Sequence, residues 1–483
     1  MKRVTAVLGP IAEPFRSGNR VDPTLVVVFL VLNGLVFLNA LLHDPRIGYD
    51  AHEHLRYLRT LSGMRLVTHP DSQEFFSPPL PYFVPALFMF LTGMELFAAA
   101  KLAQLQNVVL SIGVTLSLLR TCQLISPHSS IRLCALVFMA ILPVYYKTFA
   151  FMRGEPFVVF FSVLAVYYTL MMLIERRFSP GNAAKLGVAM GLCVLSRQWG
   201  ILIIPAICIF LVLQWVRLPD WRAAIARTLT LSLILTVAIG GWFYASLHFK
   251  YGSIAAFNRK PALAFAFSNQ SPTFYFRISP ELLFSKPVRP AFPNQLIPIF
   301  YSEIWGDYWG YFAVYGKDTR KPKFVNGFSL NEMLSKGERP SWLETNYEAM
   351  SAYLGRVNLI SLFPSALAVI ALILAAAGAA RLGPESNAPW RDANILLLLA
   401  IAATIAGYFW FLVKYPNPGN GDTIKATYVL QVSPFVAILV GELCYRVKRG
   451  SNLVYCVMVA GLLACGLHNV LAMVTQYQLQ RLP

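Results

Sequence analysis

The chain has 483 residues, 57% of them hydrophobic and only 13% charged. Soluble domains run nearer a quarter charged, which excludes an ordinary cytosolic enzyme. Lys and Arg (41) outnumber Asp and Glu (23), giving a formal net charge of +18; much of the excess sits between apolar blocks rather than on one soluble face, the pattern of a protein contacting phospholipid and not nucleic acid.

Residues 1–23 have no apolar core and no small-residue cleavage site, and Lys2, Arg3, Arg16 and Arg20 mark them as a cytoplasmic tail. A first span is expected at 24–43, followed by a polar outer segment, 44–80, with Asp44, Asp50, Glu53, Asp71 and Glu74. Apolar stretches follow at 81–98, 103–123, 133–150, 156–174, 184–197, 199–216, 228–247, 357–380, 394–413, 427–443 and 453–474, most of them close to the length needed to cross a bilayer core of about 30 Å. If 81–98 crossed, several Arg-rich loops would lie outside, against the positive-inside bias, so it is read as a juxtamembrane helix. The expectation is an all-α polytopic membrane protein with about eleven transmembrane helices, or nine to thirteen. Its parts are an N-terminal transmembrane module (24–247), a large outer loop or subdomain (248–355) and a C-terminal transmembrane module (356–483). In this arrangement 44–80, 151–155, Arg197, 248–355 and 414–426 share the outer face. No repeat of period 20–50 is visible, nor an inverted repeat with paired broken helices. The seven cysteines lie in or beside apolar blocks without metal-ligand spacing.

Candidate chemistry begins at GYDAHEHLRYLRTL, 48–61. As a helix it would place Asp50, Glu53, His54 and Tyr57 on one face with Arg56 beside them. A carboxylate there can act as general base toward a hydroxyl, and guanidinium groups can fork onto a phosphate. The same pattern also fits an interfacial helix whose charges face water. In FMRGEPF, 151–157, Arg153 and Glu155 either join that site or form a local ion pair. Arg197, in LSRQWG, interrupts two apolar runs at a depth where a cation needs a partner, an interface or an anionic ligand. The 248–355 segment contains FYSEIWGDYWGYFAVYGKD, whose Trp305 and Trp309 suit stacking on a sugar or anchoring at headgroups. Glu303 and Asp307, four residues apart, are not needed for an aromatic belt. In 414–435, Lys425 stands just before a span, where an ammonium can meet a phosphate, while Asp422 is equally an ordinary helix cap.

Together these segments resemble the polytopic GT-C glycosyltransferases that use polyprenyl-phosphate sugars, a family with protein O-mannosyltransferases, aminoarabinose transferases and dolichyl-phosphate-glucose-dependent glucosyltransferases. The resemblance rests on Gly48-Tyr49-Asp50 after the first span, Pro78-Pro79-Leu80, and Glu155 before a later span. It implies that Asp50 is the catalytic base, with Glu53 and Glu155 as further acidic candidates. Many members have adjacent Asp-Glu in the first loop; this chain has Asp50-Ala-His-Glu53, which leaves the role of Glu53 open. The resemblance also implies that basic residues hold the donor phosphate, here Arg56, Arg153, Arg197 and Lys425. His54, Tyr57, Glu303, Trp305, Asp307 and Trp309 are candidates for sugar or acceptor. The implied reaction is an inverting displacement from a polyprenyl-phosphate sugar to a lipid, glycan or protein hydroxyl, on the outer face of a bacterial plasma membrane. No cofactor is required by this logic, and a divalent metal is possible but not indicated. The competing class is a transporter or flippase of an anionic lipid-linked substrate, which would place ionisable residues near the midplane.

Overall fold

The computed structural model describes residues 12–18, 20–257, 263–314, 316–317, 324–325, 347–380, 389–419 and 421–478. Lys2 and Arg3 of the tail, and part of 248–355, lie outside the described residues. Arg16–Ser17 (β1) pairs antiparallel with Arg20–Val21 (β2), Arg16 opposite Val21. Arg132 donates to the carbonyls of Pro14 (3.2 Å) and Arg16 (2.7 Å), which ties this stretch to the start of the helix Ser129–Ala140 in the bundle.

The first span starts where Asp22 accepts the Thr24 N–H at 3.0 Å and Pro23 takes the first helical position, giving α1 (Pro23–Leu42). One side buries Leu32, Val36 and Ala40; the other exposes Val27, Leu30, Val31 and Phe37, as a lipid-facing helix must. The first outer segment folds as α2 (Ala51–Leu61), and α3 (Leu80–Thr92) follows. At 13 residues α3 rises about 20 Å, short of a span, and it stops at the left-handed Gly93 (φ 69°). Next comes α4 (Leu96–Ile125). The 133–150 stretch is not one straight span: α5 (Ser129–Ala140) and α6 (Pro143–Ala150) meet at 63°, with Pro143 opening the second helix. Then α7 (Glu155–Ile174), α8 (Pro180–Val194) and, after a 3-10 turn at Gln198–Leu202, α9 (Ile203–Arg217) form the core of the N-terminal half. α10 (Arg222–Thr236) runs through one π turn into α11 (Trp242–Tyr251).

The outer loop carries three short helices, α12 (Pro272–Phe276), α13 (Pro280–Ser285) and α14 (Leu296–Trp305), and the pair β3 (Gly316–Lys317) and β4 (Phe324–Val325). It is followed by α15 (Tyr347–Ile360), α16 (Leu362–Ala380) and α17 (Pro389–Lys414). A 3-10 segment, Ala426–Val432, enters α18 (Ser433–Gly450), and α19 (Asn452–Asn469) follows. Among the described residues nine helical segments are long and apolar enough to cross a membrane, or ten counting the bent α5–α6 pair. The chain is thus an all-α, multi-pass membrane protein. The shortfall from eleven has two causes: the bend at Pro143, and α8, which at 15 residues is too short for that count.

Helix packing is sealed by a few internal polar groups. Asn33 of α1 donates to Thr115 (3.2 Å) and accepts from Ser111 (2.7 Å) on α4, and the Tyr145 hydroxyl of α6 reaches Ser111 at 3.0 Å. After α19 the chain crosses the outer end of the bundle. Asn39 bonds Met473 O (2.8 Å) and Thr475 N (2.9 Å), and the Tyr477 hydroxyl donates to the carbonyls of Gly310 (2.6 Å) and Val314 (2.9 Å). This strap ties the end of α1 to the outer loop.

Gly154, just before α7, lets that helix approach the 196–197 turn: a Cβ there would lie 2.3 Å from the Ser196 carbonyl oxygen. Backbone oxygen cannot swing aside, so Gly154→Ala is expected to destabilise by roughly 1–3 kcal/mol. A thermal melt of the purified variant in detergent checks this, and an unchanged melting temperature would contradict the close approach.

Candidate functional site

Three segments distant in sequence converge on one cleft of about 340 Å³, walled by residues 46–52, Arg289, Trp309, Tyr311, Asp422 and Lys425. The first wall depends on two unusual backbone conformations. Gly48 has φ +139°, and a Cβ there would touch the Phe151 ring at 3.3 Å. Asp50 has φ 55°, a left-handed conformation that Asp tolerates better than most side chains. α2 therefore begins at Ala51, and Asp50 does not share a face with Glu53, His54 and Tyr57 as expected: those three are buried, while the Asp50 side chain is 48% exposed.

Lys425 Nζ stands 3.4 Å from Asp50 Oδ2, with its side chain only 11% exposed. Its ammonium lies 4.9 Å from the Tyr49 ring centroid, and Arg153 lies 5.2 Å from the same ring. Lys425 is the chief cause of an Asp50 carboxyl held well below the usual carboxylate range, against the opposing effect of burial. Asp50 is therefore ionised. The Tyr49 hydroxyl donates to Glu303, which also pairs with Lys147 Nζ at 2.8 Å and accepts from the Trp309 N–H at 3.3 Å. Burial still pushes the Glu303 carboxyl up, with Lys147 opposing. Asp307 is held by backbone: its oxygens accept N–H groups from Tyr311 (3.2 Å), Phe312 (2.8 Å), Ala313 (2.8 Å) and Val314 (3.1 Å). Glu303 and Asp307 thus support the cleft floor from beneath; they do not line it.

Beside the cleft runs a buried chain of four charges. Arg153 forks onto Glu155 with two 3.0 Å bonds. Arg197 Nε lies 3.5 Å from Glu155, and Arg197 Nη1 is 2.7 Å from Glu74. Ser77 accepts from Arg197 and donates to Glu74 at 2.5 Å. Two cations and two anions cancel, the condition for keeping charge in so dry a place. Burial, the largest single effect, raises the Glu74 carboxyl, but Arg197 first and the Ser77 hydrogen bond with other neighbours together outweigh it and hold the pKa at about 2.

The remaining sequence candidates fall elsewhere. Glu53 staples the first outer segment, accepting from Ser72 (2.9 Å) and Gln73 N–H (2.6 Å), and Arg56 pairs with it at 3.2 Å, away from the cleft. His54 is bonded to the Tyr82 hydroxyl at 2.7 Å, and burial lowers its pKa to about 4, so it is neutral at pH 7. Tyr57 donates to the Ser77 carbonyl at 2.8 Å, and Trp305 Nε1 to Ser365 at 3.0 Å. Trp309 does line the cleft; its Nε1 donates to the Ile424 carbonyl at 3.1 Å and Arg289 stacks 5.0 Å from its ring.

Sequence reasoning missed Arg46, Lys147, Arg289 and Tyr311. Only Arg289 offered a signal, a cation between two prolines in KPVRPAF. A second, apolar groove of about 180 Å³ adjoins the charge chain at Arg197, lined by Phe76, Trp199, Leu202, Phe257, Phe411 and Tyr428. The Tyr428 ring faces both Arg153 (5.7 Å) and Lys425 (5.8 Å), so one aromatic wall joins groove and charged site. Among the described residues no group of three or more His, Cys, Asp or Glu is placed to hold a metal ion.

No family model matches the chain, and no curated protein sequence matches it. Solved structures do. The apo oligosaccharyltransferase of Archaeoglobus fulgidus aligns over 95% of this chain and 56% of its own, with a TM-score of 0.52 and 13% identity. The same organism's oligosaccharyltransferase AglB, in complex with an inhibitory peptide and a dolichol-phosphate, gives 0.48 at 12% identity over 95% and 56%. ArnT from Cupriavidus metallidurans, bound to undecaprenyl phosphate, gives 0.37 at 14% identity over 86% and 77%. The first likeness shows the fold: the chain shares the architecture of that oligosaccharyltransferase. It spans about half the length of that oligosaccharyltransferase.

Removing one partner of the buried charge chain is costly. Arg197→Leu leaves Glu74 and Glu155 short of a cation and is expected to lose roughly 3–5 kcal/mol, read as a lowered melting temperature; a loss below 1 kcal/mol would contradict the pairing. The pH dependence has a definite sign. The Glu74 pKa falls from 4.5 to about 2 on folding, so its ionised form stabilises the fold fully above about pH 4.5, and that contribution fades as pH drops toward 2. Acid melts of Glu74→Gln should therefore lose less stability across this window than the parent. Parallel curves would remove Glu74 as the source.

Proposed function

We propose that the chain is an inverting glycosyltransferase that moves a sugar from a polyprenyl-phosphate donor to a hydroxyl acceptor on the outer face of the membrane, in a bacterial plasma membrane. The observation that carries the reading is the pair Asp50–Lys425 in an open cleft, divided by one tyrosine from an apolar groove. An anionic head with a long apolar tail matches this pair of compartments. The GT-C fold supports the reaction class.

In the reaction, the acceptor oxygen attacks the anomeric carbon from the side opposite the phosphate. Asp50 takes the acceptor's proton. The bond between the anomeric carbon and the phosphate oxygen breaks, and its electron pair leaves with the polyprenyl phosphate. Lys425, at the cleft wall, offsets the negative charge that gathers on that leaving oxygen. Trp309 and Tyr311 offer apolar ring faces to a pyranose or furanose. The rigid parts behind the site, the Arg153–Glu155–Arg197–Glu74 chain and the Glu303–Lys147–Asp307 cluster, take no part in bond making; they fix Tyr49 and the loops. We include the 44–80 segment and the 248–355 loop in one catalytic unit, since both contribute cleft wall.

Transfer from a panel of radiolabelled polyprenyl-phosphate sugars into membrane extracts tests the reading. The parent should incorporate label from at least one donor, and a folded Asp50→Asn protein should lose roughly 100-fold or more of that rate. Equal incorporation by both would remove Asp50 as the base. Donor flipping without transfer would favour a lipid transporter instead.

A further inference from the structure

We propose that Asp50 and the donor phosphate compete for Lys425, so that donor binding itself frees Asp50 to act as the base. This rests on the reading above and adds a coupling between its two halves. The geometry is that of an exchangeable pair. At 3.4 Å the Asp50–Lys425 contact is longer than the 2.7–2.9 Å of a tight charge-assisted hydrogen bond. The two partners are unequally held. Lys425 is sunk against the faces of Tyr49 and Tyr428, and its backbone N–H is fixed by the Tyr408 hydroxyl at 2.8 Å. Asp50 is half exposed at the cleft edge, and its carboxylate makes no capping bond to α2.

Of the neighbouring cations, Arg153 is forked onto Glu155, Arg197 is held by Glu74 and Glu155, Arg46 is forked onto Asp44, and Arg289 stacks on Trp309. Lys425 is a cation whose carboxylate partner stands half exposed, within reach of an incoming anion. A phosphate that takes the ammonium does two things to Asp50: it withdraws the positive charge beside it and sets a negative charge near it. Both effects make the carboxylate a stronger base. The carboxylate paired with Lys425 is a poor proton acceptor, which agrees with its depressed pKa and that shift's chief cause, Lys425. The site thus gains its base only once the donor is seated, which protects an empty site from activating hydroxyls with nothing to transfer.

The exchange predicts a sign that a plain catalytic role does not. Binding of a C55 polyprenyl monophosphate to the purified, nanodisc-embedded chain is measured for the parent, Asp50→Asn, Lys425→Gln and the double variant. Asp50→Asn should bind about fivefold tighter, the scale of one partly exposed ion pair. Lys425→Gln should bind more weakly, and in that background Asp50→Asn should bring no further tightening. Equal tightening in both backgrounds would mean general repulsion between Asp50 and the phosphate and would overturn the exchange; so would unchanged or weaker binding by Asp50→Asn alone. Asp50→Ser provides a second carboxylate-free variant if Asp50→Asn folds poorly. Transfer of labelled sugar is scored separately. Coupled binding without transfer would count against the glycosyltransferase reading alone, and transfer without coupling against the exchange alone.

Discussion

Four charges buried at one end of the bundle set the terms for the rest of this molecule. Arg153, Glu155, Arg197 and Glu74 come from the α6–α7 turn, the head of α7, the α8–α9 break and the first outer segment. None can be hydrated where it lies, so each requires the others, and meeting that requirement brings three stretches of chain into one place. The consequence reaches the cleft through Tyr49. Its carbonyl accepts from Arg153 at 3.4 Å, its ring carries Arg153 and Lys425, and its hydroxyl is fixed by Glu303. The residue next to Asp50 is thus held at the carbonyl, the ring face and the hydroxyl.

Tyr49 is also a partition. On its hydroxyl side lies a closed cluster, Glu303, Lys147 and Asp307, all almost fully buried. On its ring face lie cations in contact with the cleft. An apolar ring with a negative face lets like-charged groups approach one another with less repulsion than open space would give them. This explains how Lys425 and Arg153 share so small a region, and why the acidic residues most conspicuous in the outer loop serve as scaffold.

The span pattern was legible because the bilayer imposes a length and an apolar composition on each crossing helix. The nine or ten spans fall within the expected range, and the departures from eleven are local. The bend at Pro143 and the short α8 depend on packing against neighbouring helices that no window of hydropathy contains. In the site, Asp50, Trp309 and Lys425 were legible as polar or aromatic residues at membrane edges, and they do meet in one cleft. The assignment of Arg153 and Arg197 as phosphate ligands was open to the other reading because their carboxylate partners decide the matter, and Glu74 is over a hundred residues from Arg197 in sequence. The shared face of Asp50, Glu53, His54 and Tyr57 presumed a helix through Asp50. A left-handed residue at that position breaks the periodicity, and nothing in the residue types alone announces it.

The strap after α19 carries a consequence for how the protein is made. Tyr477 and Gln476 bond the 310–314 stretch that includes Tyr311 of the cleft wall, while Thr475 is bound to Asn39 and His43 at the end of α1. Threading of the chain through the insertion machinery delivers α1 early and the strap only after α19 has crossed. Until then the tether that the strap makes between α1 and the 310–314 stretch is missing. A competent cleft is therefore a sign that every intervening helix has been inserted, and a chain stalled partway through the bilayer exposes its acidic first loop without the wall that would confine a substrate there.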